Sequence, residues 1–219
     1  DGPFACFHVP RWRPDGSRNA VRVQRLKDKL GNRSNASAEV EFEDAWGILI
    51  GEEGRGIPTI IEMAGYTRLN CVVGSAAILR QATVQAIAYA RRRQAFGRPL
   101  AEHEGVGFML ADNDMDLHTA RLHIWHTAWL LDQGEKCNFE SSRAKVVCSE
   151  AEWRVVDRSV QILGGQGVTG ETPVMRIFTD MRAFRIYDGP SEVHRWSMAR
   201  KLVHMAERAE AELLREGGL

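Results

Sequence analysis

The sequence predicts a mainly α fold: an antiparallel four-helix bundle preceded by a few strands of an incomplete β domain. Three observations predict it. From Gly56 onward, long stretches run without internal proline and stop at glycine. Apolar residues within them recur at three- and four-residue spacing, the stripe of a helix with one buried face. The first fifty residues instead carry short apolar runs between polar turns. The expected division is residues 1–55 as the end of a β domain and residues 56–219 as the bundle.

The β part comes first. Phe4 to Val9 is a short apolar run ending at Pro10, and Arg13 to Ser17 reads as a turn. Val21 to Leu26 is a second strand candidate and Glu39 to Phe42 a third. In the third, Val40 and Phe42 alternate with Glu39, Glu41 and Glu43, the pattern of a half-buried strand. Gly31 to Ser37 is the polar loop between the last two. Three strands alone make a marginal fold.

The helices follow. Pro58 occupies a first-turn position, and a helix runs from there to about Arg93. At 1.5 Å per residue, ~35 residues span ~50 Å. Gly97-Arg98-Pro99 breaks it. A second helix, about Glu102 to Asp132, carries Val106, Met109, Leu110, Asn113, Leu117, Ala120, Ile124 and Leu131 on one stripe and ends at Gly134. A third covers Ser142 to Leu163 and stops at Gly164-Gly165. A short helix at Pro173 to Phe178 precedes the last, Pro190 to Arg215, with Gly217 and Gly218 beyond it. Long helices on short connections pack antiparallel.

Composition narrows the function. The 219 residues are 44% apolar and 26% charged, a globular balance rather than a disordered one. Lys+Arg and Asp+Glu both number 29, and the longest basic run is Arg91-Arg92-Arg93, so nucleic acid is not an expected partner. Cys6, Cys71, Cys137 and Cys148 form no CxxC pair and read as reduced, mostly buried thiols. No apolar run reaches the ~18 residues of a spanning helix, and no signal-peptide pattern is visible, so no membrane is expected. His118, His123 and His126 do not fall together on one helical face, so no metal site is expected.

Three segments exceed what a bundle needs. Arg93-Gln94-Ala95-Phe96-Gly97 closes the first helix. Alone, Arg93 reads equally as a cation favoured at a helix C-terminus. Gln161 to Gly167 holds Gly164, Gly165 and Gly167, which suit a phosphate or ribose cradle or a plain helix stop. Ile186 to Glu192 sets Asp188 in a loop before the last helix, where it reads as a reactive carboxylate or a helix cap.

Together, in this order and spacing, the segments resemble the acyl-CoA dehydrogenase family, over nearly the whole chain. The similar motifs are Arg93-x-x-Phe96-Gly97, Val160 to Gly167, Tyr187-Asp188-Gly189-x-x-Glu192 and Arg176 to Arg182. Arg25 to Ser37 leans toward the branch that includes the alkylation-response flavoproteins. The resemblance implies the end of the family's middle β domain followed by its C-terminal four-helix bundle. It implies an FAD-dependent oxidoreductase that converts an acyl-CoA thioester to the trans-2-enoyl thioester.

In that resemblance Asp188 stands at the base position, where most members have glutamate. Arg93, Gln161, Gly164 and Gly165 match positions that reach the pyrophosphate and ribose of a neighbouring subunit's flavin. Phe96 matches a position beside the cofactor, and a core aromatic is the alternative reading of it. Glu192 matches a further flavin-contacting position, and Thr67, Arg68 and Gly189 match substrate-binding ones. Thr67 is where other members carry the base, and a threonine cannot serve as one. Glu104 and Pro190 stand where glutamine and threonine are usual. A homodimer or homotetramer through the bundle, an electron-transferring flavoprotein as acceptor, and bacterial cytoplasm or mitochondrial matrix are implied in the same way. The chain is expected to be a C-terminal piece, inactive by itself. The competing expectations are a DNA-associated alkylation-response flavoprotein and a catalytically silent oligomerisation bundle.

Overall fold

The structure, a computed structural model, describes residues 4–215, with side chains described to residue 212. Gly217 and Gly218, expected to end the last helix, lie outside the described residues. The chain divides into two compact units, Asp1–Thr67 and Arg68–Leu219. The first helix begins in one unit and continues into the other, so compactness changes at residue 67 although strand gives way to helix near residue 55.

The first unit contains β1 (Cys6–His8), β2 (Val21–Leu26), β3 (Ala38–Phe42) and β4 (Ile48–Ile50). β1 pairs antiparallel with β4, and β2 with β3 around a bulge between Val23 and Arg25. The three expected strands are present; β4 was not legible, because Ile48, Leu49 and Ile50 show no alternation. One expectation fails. β3 is a strand, but Val40 and Phe42 are exposed rather than half-buried, since a two-stranded ladder supplies no second layer to cover them. What fixes the loops is Asn19, which is 3% exposed. Its side-chain amide donates to the Pro10 and Trp46 carbonyls and its oxygen accepts from the Trp46 and Ala20 amides.

The helices are α1 (Gly56–Arg92), α2 (Glu104–Asp132), α3 (Asn138–Leu163), α4 (Pro173–Met181) and α5 (Ser191–Arg215). β5 (Gln94–Ala95) and β6 (Arg98–Pro99) form a minimal hairpin after α1, turning at Phe96 and Gly97. α3 is the central helix of the second unit, with over half its residues buried. It starts one turn earlier than expected. Ser142 resembles an N-cap in sequence, but its hydroxyl donates back to the Asn138 carbonyl at 2.7 Å, within the first turn. On α2 the stripe holds at Asn113, Leu117 and Ala120, but Leu131 is exposed and Thr127 takes the last buried place.

The core has two clusters. One joins Val72, Leu79 and Ala82 of α1 to Leu117 and Ala120 of α2, Cys148, Val155 and Val156 of α3, and Met181. The other joins Ala86 and Ala90 near the end of α1 to Ile162, Leu163 and Val174. α1 passes a length-and-composition test for a spanning helix, which qualifies the expectation that no run is so apolar. Its buried residues, however, supply one wall of both clusters, as the core helix of a folded domain does.

Candidate functional site

The sequence-predicted residues fall into two groups. The first surrounds Asp188, in the short loop between a 3-10 turn (Arg182–Arg185) and α5. Asp188 has φ +53°, the left-handed region that costs an ordinary residue about 1–2 kcal/mol. Gly189 follows at φ +96°, and a Cβ there would lie 2.6 Å from His194 Nε2. Only glycine fits that position, on conformation and on space together.

The turn is held by its carbonyls. His194 Nε2 lies 3.0 Å from the Asp188 carbonyl, and Lys145 Nζ donates to the Gly189 carbonyl at 2.6 Å. A carbonyl only accepts, so His194 must carry its proton on Nε2. Lys145 is 1% exposed and His194 is 4% exposed. Burial lowers the pKa of both; the Asp188 carbonyl opposes this for His194, and the Asp188 carboxylate opposes it for Lys145.

Arg68 completes the group from α1. Its guanidinium is half-buried, with Nε enclosed and unpaired and one terminal nitrogen 3.5 Å from Ser141 Oγ. Burial lowers its pKa and the Asp188 carboxylate opposes the shift. The half-buried Asp188 thus stands in the field of two cations. Behind it the core turns polar. Cys71 is pushed up to about 12 by burial, and burial also raises the Tyr187 phenol. Glu152 is fully buried with neither carboxylate oxygen hydrogen-bonded, and the facing Ser75 hydroxyl also lacks a bond.

The second group is exposed. Arg93 lies just past α1, its carbonyl accepting from Leu100 N–H at 2.8 Å and its side chain in solvent. Phe96 is 95% exposed at φ +51°, edge-on to His103, so the core reading of this aromatic is wrong. Gln161 is exposed at the end of α3, and Gly164, at φ +57°, leads into a 3-10 turn (Gly164–Val168). A Cβ at Gly164 or Gly165 would meet open space, whereas one at Gly167 would lie 2.4 Å from the Val160 carbonyl. The first two therefore keep their backbone open to a ligand, and the third is a packing glycine. The helix ends carrying Arg93 and Gln161 pack on the same core cluster, which places the two on one supported region.

Two predicted residues stand apart. Glu192 is exposed in the first turn of α5 and pairs loosely with Arg195 at 3.9 Å. Thr67, in the other compact unit, donates its hydroxyl to the Ala64 carbonyl. Sequence reasoning missed Lys145, Glu152 and His194. The available signal was a charged pair at positions 145 and 152 on the same stripe as Cys148 and Val155, two charges where a bundle helix should be apolar.

Comparison with known proteins adds the lineage. Residues 54–203 match the family described as acyl-CoA dehydrogenase, C-terminal domain. AidB of Escherichia coli (strain K12), described as of acyl-CoA dehydrogenase type, is 40% identical over 198 residues, 88% of this chain and 37% of that protein. The mitochondrial short-chain specific acyl-CoA dehydrogenase of Rattus norvegicus is 35% identical over 91% of this chain and 48% of its own length. Butyryl-CoA dehydrogenase from Megasphaera elsdenii matches in structure with a TM-score of 0.82 at 25% identity, over 92% of this chain and 56% of that one. The chain spans about half or less of the curated relatives it matches. With a family match over most of its length and the family's fold, this chain belongs to the acyl-CoA dehydrogenase family, and residues 54–203 are its C-terminal domain.

Proposed function

We propose that this chain supplies the catalytic base and part of the flavin cradle of an acyl-CoA dehydrogenase-like oxidoreductase, which oxidises an acyl-CoA thioester to its trans-2-enoyl form. The carrying observation is the Asp188 turn, a left-handed carboxylate-bearing loop held through its backbone beside Arg68 and Lys145. Asp188 takes the proton from the α carbon, and the electron pair left behind forms the new double bond as the β hydrogen departs. FAD, when bound, supplies the acceptor for that hydrogen and its electron pair. Arg68 and Lys145 offset the cost of keeping a charged carboxylate half-buried before the proton arrives.

The exposed group fits the rest of the cofactor. An exposed Arg93 suits a diphosphate, because its planar fork makes charge-assisted bonds to phosphate oxygens. The open backbone at Gly164 and Gly165 admits close approach by a diphosphate or ribose, and Gln161 beside it offers an amide. Phe96 presents a bare ring of the kind that packs on a neighbour. Glu192 fits a polar contact at the same cofactor, and Gly189 fits the substrate side.

Self-association agrees with the outer face of α2. There Phe108, Met115, Leu122 and Trp129 recur every seven residues, and all are at least half exposed. An apolar line of that length on a helix is an interaction surface. A homodimer or homotetramer through this domain, with an electron-transferring flavoprotein as acceptor, completes the proposal. The test is the visible spectrum of the flavin-loaded protein on anaerobic addition of mixed acyl-CoAs. Bleaching that is lost in Asp188→Asn supports the proposal; bleaching that survives the substitution refutes Asp188 as base.

A further inference from the structure

We infer that Lys145 and His194 are positioning residues, which set the orientation of the catalytic carboxylate by holding the two consecutive carbonyls of the Asp188–Gly189 turn from two different helices. The inference rests on the reading of Asp188 as base.

Three observations carry it. First, the geometry converges on two successive peptide units. Lys145 comes from α3 and reaches the Gly189 carbonyl at 2.6 Å, while His194 comes from α5 and reaches the Asp188 carbonyl at 3.0 Å. Gly189 also sits so close to the His194 ring that no side chain fits between them. The turn is thus held by two residues from two helices, and the His194 ring also closes the space over Gly189.

Second, the turn needs holding. Asp188 and Gly189 both have positive φ, and a strained conformation at a non-glycine residue persists only where its surroundings over-determine it. An aspartate is one methylene shorter than the glutamate usual at the family's base position. It has less side-chain reach with which to correct a misplaced backbone, so the backbone itself must deliver the carboxylate.

Third, Lys145 is a poor choice for mere stability. Its ammonium is 1% exposed, and a buried charge carries a desolvation penalty that an apolar residue of similar shape would avoid. Its neighbours Asp188 and Glu150 favour the charge, Arg68 opposes it, and its hydrogen bond goes to the turn. Such a charge is explained by what it holds.

The test uses flavin-loaded protein carrying this chain and follows flavin reduction by butyryl-CoA or octanoyl-CoA in single turnovers, normalised to bound flavin. Lys145→Met is expected to slow reduction by about 10²-fold, the cost of ~1 Å of misplacement at a reacting centre. The concentration giving half-maximal rate should stay near wild type, because substrate binding is not what the clamp serves. His194→Leu is expected to slow reduction roughly tenfold, the worth of one hydrogen bond to a buried carbonyl. His194→Gln, which keeps an N–H donor, should recover most of that loss. If Lys145→Met fails to fold or loses flavin, the two His194 variants decide the matter alone.

Wild-type rates in Lys145→Met or His194→Leu would overturn the inference. So would His194→Gln as slow as His194→Leu, or a raised half-maximal concentration at unchanged maximal rate. Asp188→Asn separates the two levels. If it still reduces flavin, the reading of Asp188 has failed; if it does not and the clamp variants are unimpaired, only the clamp has failed.

Discussion

Replacing Glu152 by glutamine should stabilise the protein, and by more at neutral pH than in mild acid. Glu152 lies on α3 with no exposed surface, and neither carboxylate oxygen has a hydrogen-bond partner. Burial raises its pKa well above the ordinary carboxylate range. A raised folded-state pKa means that the folded protein holds a proton the unfolded chain releases. The corresponding stability is complete below the unfolded midpoint, about pH 4.3, and is lost as pH rises toward the folded midpoint. The folded protein therefore loses stability relative to Glu152→Gln as pH rises through that window, at a limiting slope of about 1.4 kcal/mol per pH unit.

Glutamine has nearly the same shape and no titration, so Glu152→Gln should remove this slope. Glu150 and Asp116 have the opposite sense. For each, burial raises the pKa, but the cations Arg185 and Arg195 beside Glu150, or Arg154 and Arg158 beside Asp116, oppose it and the net shift is downward. Their stabilisation is present at neutral pH and lost in acid, and it cancels in the comparison because both proteins retain them. The assay is urea unfolding of wild type and Glu152→Gln, followed by far-UV circular dichroism at several pH values. The stability difference should widen with pH at an unchanged denaturant slope. A difference that stays constant, or narrows as pH rises, would refute the reasoning.

Two further substitutions test the site. Gly189→Ala combines a left-handed residue, about 1–2 kcal/mol, with a Cβ forced against His194, about 1–3 kcal/mol. A melting temperature like wild type would show that the turn relaxes more easily than its clamp implies. Phe96→Ser removes a ring that is 95% exposed, so stability should change by less than about 0.5 kcal/mol while flavin retention on gel filtration falls. A marked loss of stability with intact flavin binding would return Phe96 to a structural role.

Most of the fold was legible because its signals are local. Amphipathic stretches without internal proline located α1 to α5, glycine stops marked the ends of α1, α2 and α3, and the errors sit where local signals compete. Ser142 offers the chemistry of an N-cap yet bonds back within the first turn. Val40 and Phe42 alternate with glutamates as a half-buried strand does, but burial depends on a covering layer that no strand encodes by itself. The site was legible only in part for the same reason. Asp188, Gly189 and the glycine turn announce themselves by motif. Lys145 and His194 matter through atoms brought to the turn from 44 and 6 residues away, and pairings of that kind appear only with the fold. Glu152 shows the limit: its place on the apolar stripe of α3 marks it as unusual, but its lack of a hydrogen-bond partner appears only with the fold.

The central claim is that Asp188 is the base, and its direct test is stopped-flow reduction of the flavin-loaded protein by acyl-CoA without oxygen, comparing wild type with Asp188→Asn. A positioned general base contributes typically ~10²–10⁴-fold. The account predicts a loss of at least that size in Asp188→Asn, with flavin content and melting temperature retained. Reduction at the wild-type rate by a folded, flavin-replete Asp188→Asn protein would contradict it.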